Sequence, residues 1–268
     1  MNNYSHFELE LENLMKTQIL QFSGFNDGLN SDYQFQIDFL SSTKCDPGKI
    51  LNSNACFMRY ANTGKIYTHG IIDKIQYFGR LDNSYHYQVY LSSPLCRLKK
   101  QIRNRRFINK KATQIIQEVL LEAGWKTIDF QIQIETYNPI ISCFTQYNEP
   151  DHQLIERLCT RYGWIYYFSR DKQRVILHLK DNCKAIQTFK LSYYPNTQLK
   201  LDKISISQIQ QFINFLPKNI QLKNYSLTTP DTDLTVKTTS KSLIESRGVL
   251  EIYGIDYETH EEGEFLAD

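Results

Sequence analysis

No apolar run in this 268-residue sequence approaches the roughly 20 residues of a membrane-spanning helix. Its opening, MNNYSHFELELENLMK, lacks the basic-then-apolar order of a secretory signal. Synthesis and assembly in the cytoplasm are expected, with no membrane span. Paired cysteines are missing as well. Cys45, Cys56, Cys96, Cys143, Cys159 and Cys183 stand far apart without a C-x-x-C, which favours free, mostly buried thiols over a disulfide frame or a zinc site. No excess of one charge exists either: 31 Lys+Arg against 29 Asp+Glu leave a net charge of +2, so no global field draws the chain to nucleic acid or an anionic membrane.

Signatures of chemistry are equally scarce. There is no H-E-x-x-H, because His260-Glu261-Glu262-Gly263 lacks the second histidine, and no G-x-S-x-G elbow or phosphate-binding loop. His6, His69, His86 and His178 stand singly, whereas metal ligands must cluster. Asp151, His152 and Cys159 read as structural residues of one helix. Glu149 and Asp151 are explained as acids near a helix N-terminus, where they offset its partial positive charge. The expectation is therefore no enzyme, no catalytic residue, no cofactor and no metal.

What is present is aromatic and strand-forming. The 41% hydrophobic and 13% aromatic content, with 18 Tyr and 15 Phe, belongs to a folded, strand-rich chain. Gln18–Phe22, Tyr33–Phe39, Ala55–Tyr60, Lys65–Phe78 and Tyr85–Leu91 carry aromatic and β-branched residues, with Phe35, Ile37 and Phe39 alternating against Gln34, Gln36 and Asp38. Turn residues such as Asn26-Asp27-Gly28, Asp46-Pro47-Gly48 and Asn62-Thr63-Gly64 separate them. Short, punctuated strands predict a small antiparallel barrel or sandwich.

The one marked charge cluster is RLKKQIRNRRFINKK, Arg97 to Lys111, with eight basic residues and no acid. Phosphate binding is one reading of it, a solvated strand and loop the other. Base-stacking aromatics are not interleaved through it, which argues against nucleic acid; docking an acidic neighbour through Arg97, Lys99, Lys100, Arg103, Arg105 and Arg106 is preferred. Ala112, Ile115, Ile116, Val119, Leu120 and Ala123 follow helical offsets up to Gly124. A strand is expected over Ile128–Glu135 and another over Arg174–Lys180. Further strands are expected at Thr188–Leu191, Lys203–Gln208, Ile220–Tyr225, Leu234–Thr239 and Gly248–Tyr253. A faint echo of Asp73-Lys74-Ile75 in Asp202-Lys203-Ile204 hints at duplication.

The most specific stretch is Phe144 to Phe168, FTQYNEPDHQLIERLCTRYGWIYYF. Asn148 and Glu149 before Pro150 look like helix-start residues, Ile155, Leu158, Cys159 and Tyr162 make an apolar stripe, and Gly163 stops the helix before the strand Trp164–Phe168. Gln146-Tyr147-Asn148-Glu149, Asp151, Leu158 and Tyr162-Gly163-Trp164-Ile165-Tyr166-Tyr167-Phe168 together resemble the "QYxExD…RLxEExGIxYYF" segment of VgrG spike proteins of type VI secretion and the related phage tail-hub (late control D) proteins. Thr68-His69-Gly70-Ile71-Ile72, Arg106-Phe107-Ile108-Asn109, Leu250-Glu251-Ile252-Tyr253 and Glu261–Ala267 extend the resemblance. Pro150, Thr160-Arg161 and Trp164 depart from it.

The resemblance implies a mainly β fold with an α/β insert: a first barrel over 1–103, the insert over 104–183, and a second similar barrel over 184–268 that stops before any OB-fold or β-helix. It further implies a structural hub of a contractile injection apparatus, a homotrimer joining a hexameric, Hcp-like tube to a spike on a separate chain among baseplate proteins. Two other functions are weighed beside it: a nucleic-acid-binding protein using residues 97–111, and a cell-wall hydrolase that travels with a tail hub.

Overall fold

The computed structural model describes residues 7–11, 17–26, 28–61, 64–170, 172–182, 192–193, 205–206, 208–214, 217–227, 229–240, 247–255 and 257–267. The chain divides into two compact units, Met1–Ser207 and Gln208–Asp268. It is mainly β, with an α/β insert in the first unit.

The first unit begins with β1 (Phe7–Leu11), β2 (Thr17–Asn26), β3 (Tyr33–Ser41), the single turn α1 (Pro47–Ile50), β4 (Asn54–Ala61), β5 (Gly64–Leu81) and β6 (Ser84–Ser92). The six strands form one antiparallel sheet in the order β1-β4-β5-β6-β3-β2. Period-two patterning sets its inner face: Tyr33, Ile37 and Phe39 are fully enclosed, and a register slip by one residue would expose all of them. Asp38 lies on the opposite face and is also buried, because Gln21 of β2 and Gln88 of β6 donate to its two carboxylate oxygens at 2.7 and 2.6 Å. The outer strands meet. Phe7 and Phe22 have ring centroids 4.9 Å apart, and the Thr17 hydroxyl donates to the Leu9 carbonyl at 3.1 Å, so the sheet curls into a small barrel around Phe57, Ile72, Val89 and Leu91.

Strand β5 changes partner midway. Gly64–Ile71 pair with β4 and Ile71–Leu81 pair with β6, with irregularities at Ile72/Lys74 and Tyr77/Gly79. Bulges of this kind bend a strand and raise its twist. At Gly70 a Cβ would lie 2.4 Å from the Ser92 carbonyl oxygen, so only glycine permits the close strand approach there.

The insert comprises β7 (Ile102–Lys111), α2 (Ala112–Glu122), β8 (Phe130–Gln133), β9 (Ile140–Pro150), α3 (Asp151–Tyr162), β10 (Ile165–Arg170) and β11 (Val175–Lys180). Strands β7 and β9 form an antiparallel ribbon, while β10-β11-β8 is a three-stranded sheet whose β11–β8 pair is parallel. The helical stripes are as expected from their spacing: Ile115, Ile116, Val119 and Leu120 on α2, and Leu154, Ile155, Leu158, Cys159 and Tyr162 on α3 are buried. Gly163 ends α3 in the left-handed region at φ 64°, and the Trp164 amide closes the turn on the Cys159 carbonyl at 2.8 Å.

Three expectations need correction. Asn148 and Glu149 do not start α3: they belong to β9, where Asn148 has φ 45° and its amide donates to Asn104 Oδ1 at 2.6 Å. Trp164 precedes β10 and lies in the core, at 1% exposure. The strand expected from Ile128 begins at Phe130, after a short 3-10 turn over Thr127–Asp129.

The insert is bonded to the barrel through Asn30, whose φ is 53°. Its amide donates to the Tyr166 carbonyl at 2.9 Å, its Oδ1 accepts from the Tyr166 amide at 2.7 Å, and its Nδ2 donates to the Trp164 carbonyl at 3.3 Å. Phe168 packs edge-on against Tyr33 at 5.2 Å. The first unit ends with the short parallel pair β12 (Ser192–Tyr193) and β13 (Ser205–Ile206).

In the second unit, β14 (Asn219–Lys223), β15 (Val236–Thr239) and β16 (Val249–Tyr253) form a mixed sheet of order β15-β14-β16, followed by α4 (His260–Ala267). Leu222, Leu234, Val236, Tyr257 and Ala267 make its core. Gly263 lets α4 approach Tyr257 and Val236, since a Cβ there would stand 2.7 and 2.8 Å from their side chains. The strand expected at Thr188–Leu191, the echo at 202–204 and Cys183 lie outside the described residues.

Candidate partner interface

The basic run starts as a 3-10 turn over Pro94–Lys100 and continues into β7. Proline at its first position and Ser93, whose hydroxyl accepts from the Leu95 amide at 3.2 Å, set the turn. Because side chains alternate along a strand, Arg103 and Arg105 leave β7 on one face and Arg106 on the other.

Most of the expected docking cations already have intramolecular partners. Arg97 donates to the Asn52 side-chain and main-chain oxygens, both at 2.8 Å. Lys99 pairs with Asp32 at 2.8 Å and Lys100 with Asp73 at 2.5 Å. Arg103 and Arg105 converge on Asp151, whose side chain is wholly buried, at 3.3 and 3.1 Å. Both also reach Glu122 at the end of α2, Arg103 at 2.8 Å. Gln146 of β9 completes the node by accepting from Arg105 Nε at 2.7 Å and donating to Asp151 at 2.9 Å. The Asp151 carboxylate thus ties α3 to β7 and β9, and Glu122 joins α2 to the same two arginines. Asp151 is a first-turn acid of α3, as its spacing implies, and it also pairs with two arginines more than forty positions away, which spacing does not reveal.

Arg106 differs from the other five. Its side chain is exposed, on the ribbon face that also presents Ile102, Ile108, Cys143 and Tyr147, the last at 80% exposure. That face is half apolar with a single guanidinium at its middle. A phosphate-tracking stripe needs a row of free cations, and the run offers too few.

Beside the first barrel lies an open groove of about 990 Å³, lined by Glu10, Cys56, His69, Arg97, Trp125 and Arg174 among others. Cys56 Sγ is 3.9 Å from His69 Nε2. Burial, with a smaller contribution from Glu10, raises the Cys56 thiol to about 11, so it stays protonated and is a poor nucleophile. Burial likewise raises Cys96 to about 11 and Cys159 to about 12. Among the described residues no group of three His, Cys, Asp or Glu could hold a metal ion. A pair missed in the sequence is Ser169 and His178, hydrogen-bonded at 2.7 Å across β10 and β11, with His178 stacked on Tyr167 at 4.9 Å. Burial and then Lys180 lower the His178 pKa.

These thiol environments predict a labelling order. Of the described cysteines, Cys143 alone is exposed, so brief alkylation of the native chain at pH 8 is expected to modify Cys143 and to spare Cys45, Cys56, Cys96 and Cys159. Peptide mass mapping reads the result, and early modification of Cys159 would contradict the burial described.

A curled antiparallel sheet thus carries a bonded α/β insert, and five of the six candidate cations of the basic run are held in intramolecular contacts. Residues 26–268 match the phage tail baseplate hub (GPD) family, and the chain belongs to that family. Over 181 residues it is 25% identical to the type VI secretion system spike protein VgrG4b of Pseudomonas aeruginosa, an alignment taking in 67% of this chain and 22% of that protein. The fold is similar to that of the Escherichia coli c3393 protein, a component of the type VI secretion system with structural similarity to T4 bacteriophage tail proteins gp27 and gp5: TM-score 0.64, 21% identity, 70% of this chain and 52% of that one. It is also similar to a tail protein from Neisseria meningitidis, with TM-score 0.59, 11% identity, 98% of this chain and 74% of that one. The chain therefore spans about a fifth of VgrG4b and about half of the c3393 protein.

Proposed function

We propose that this chain is the hub of a contractile injection apparatus, a type VI spike base or a phage-like tail hub, and that it works by shape. Three copies form a closed ring, and closed cyclic symmetry makes every neighbour contact equivalent. Each copy lends a barrel over 1–103 and a second, similar barrel over 184–268, with the insert over 104–183 between them. Such a ring presents near-sixfold symmetry to a hexameric, Hcp-like tube and threefold symmetry to a spike or needle. It assembles in the cytoplasm with baseplate proteins and leaves the cell as part of the apparatus. The observation that carries this reading is the match to the hub family over residues 26–268.

Within the ring, the ribbon face around Arg106 is the surface that meets the next copy. Arg106 steers docking by charge, while Arg97, Lys99, Lys100, Arg103 and Arg105 hold the local structure that presents it. The test is the mass of the purified chain in solution. Three copies of the 31.6 kDa chain are expected, and Cys143 labelling is expected to slow as the trimer forms. Arg106→Glu is expected to lower the association rate, with the loss shrinking at high salt. A chain that stays monomeric at every concentration, alone and with the tube protein, would overturn the ring.

A further inference from the structure

A histidine stands where the start of α3 is fastened to the turn over Pro94–Lys100. The Asp151 amide donates to the Gln101 carbonyl at 2.9 Å, just past that turn, and His152 is the next residue. Its side chain is 21% exposed, with Nε2 3.8 Å from Glu156 Oε2 one helical turn on. The other Glu156 oxygen accepts from the Tyr166 hydroxyl of β10 at 3.2 Å, on the residue whose main chain Asn30 bonds to the barrel. From the barrel side, Lys99 of the turn and Asp32 just ahead of β3 act on the same imidazole. Those two pair with each other at 2.8 Å, and Ser93 holds the second Asp32 oxygen. One titratable ring is therefore enclosed among two acids, a lysine and a tyrosine drawn from four elements.

A neutral imidazole carries one N–H, and the tautomer that fits here puts it on Nε2, toward the Glu156 carboxylate. Nδ1 then keeps a lone pair. It is sealed from solvent with no hydrogen-bond partner among the described residues, which a bare lone pair tolerates better than a proton does. A second proton has to enter at this nitrogen, making a buried donor without an acceptor and a cation beside Lys99. Burial opposes that charge most; Glu156 favours it, Lys99 opposes it and Asp32 favours it, and the balance holds the His152 pKa below its ordinary value.

We propose that His152 is an acid-sensitive latch: when it takes up its second proton, the first turn of α3 parts from the turn over Pro94–Lys100 and the insert loosens on the barrel. The folded pKa lies below the unfolded value of about 6.5, so the stability concerned is complete above that pH and is lost as pH falls through it. Amide exchange of the full chain tests this. Read by mass spectrometry over Pro94–Lys100 and Asp151–Tyr162, and corrected for its intrinsic pH dependence, exchange is expected to quicken several-fold between pH about 7.5 and about 5.5. The carbon resonance of the His152 ring is expected to titrate with a midpoint below about 6.5. His152→Gln, which stays neutral, is expected to fold and to lose the acceleration. His178→Gln, at another half-buried histidine whose pKa burial lowers, is expected to keep it. Lys99→Met removes the opposing cation and is expected to raise the His152 midpoint. A wild-type midpoint at or above about 6.5 overturns the latch, as does exchange over both segments that ignores acid. So does a folded His152→Gln that responds like wild type.

Discussion

Asp151→Ala is expected to lower the unfolding free energy of the first unit by about 3–5 kcal/mol, the usual cost of removing one partner from a buried ion pair. The substitution strips the acceptor of Arg105 and Gln146 and the ion-pair partner of Arg103 at once. Glu122 remains for the two arginines, but its side chain is 41% exposed and bonds them from the solvent side. The Gln146 side chain, fully buried, keeps its Nε2 bond to the Glu149 carbonyl at 2.8 Å and still accepts from Arg105 Nε at 2.7 Å. Three elements, α3, β7 and β9, meet at this carboxylate, so the loss is expected to reach beyond one helix end. Urea unfolding checks it, and Trp125 and Trp164, the only two tryptophans in the sequence, both report on the first unit. A fall in midpoint at constant slope measures the loss; a change under about 1 kcal/mol would put Asp151 back among ordinary first-turn acids. Asp151→Asn, which keeps the shape without the charge, is expected to fall between wild type and Asp151→Ala.

Trp164→Ala is expected to cost a similar amount, about 3–5 kcal/mol, by opening a cavity where a large side chain had been. Trp164 is 1% exposed and stacks on Tyr162 with centroids 5.0 Å apart. The companion Trp164→Phe separates packing from polarity. The indole N–H is buried without an acceptor, so phenylalanine removes an unmet donor along with some volume, and the two effects oppose each other. A loss below about 1.5 kcal/mol is expected for it. Circular dichroism on heating compares the two, and equal losses would mean the indole nitrogen has a role the geometry does not reveal.

Local patterning carried most of the fold. Alternation over Tyr33–Phe39 announced β3 because one side of the sheet is apolar core, and the Ile115-to-Leu120 and Ile155-to-Tyr162 stripes announced α2 and α3 for the same reason at helical period. Gly163 marked its helix end correctly, since a left-handed residue is a local requirement. What local pattern could not carry is long-range pairing. Asp151 and Arg105 are 46 positions apart, and Asn30 and Tyr166 are 136 apart; nothing near either residue names its partner. Asn148 misled for a related reason. Its left-handed φ serves a bulge where β9 carries one extra residue between the partners of Arg103 and Arg105 of β7, yet polar residues before a proline read as a helix start. The family resemblance supplied what periodicity could not, because the wording around Gln146 and Tyr162 records tertiary constraints in side-chain identity.

The bonds made by Asn30 have a mechanical meaning. Its amide, side-chain oxygen and side-chain nitrogen engage the stretch from Trp164 to Tyr166 side by side. Tension applied along that stretch loads the three links in parallel, and parallel links must rupture together instead of unzipping in turn. A push delivered to the insert is therefore passed to the barrel with little give, as through a short lever bolted at its root.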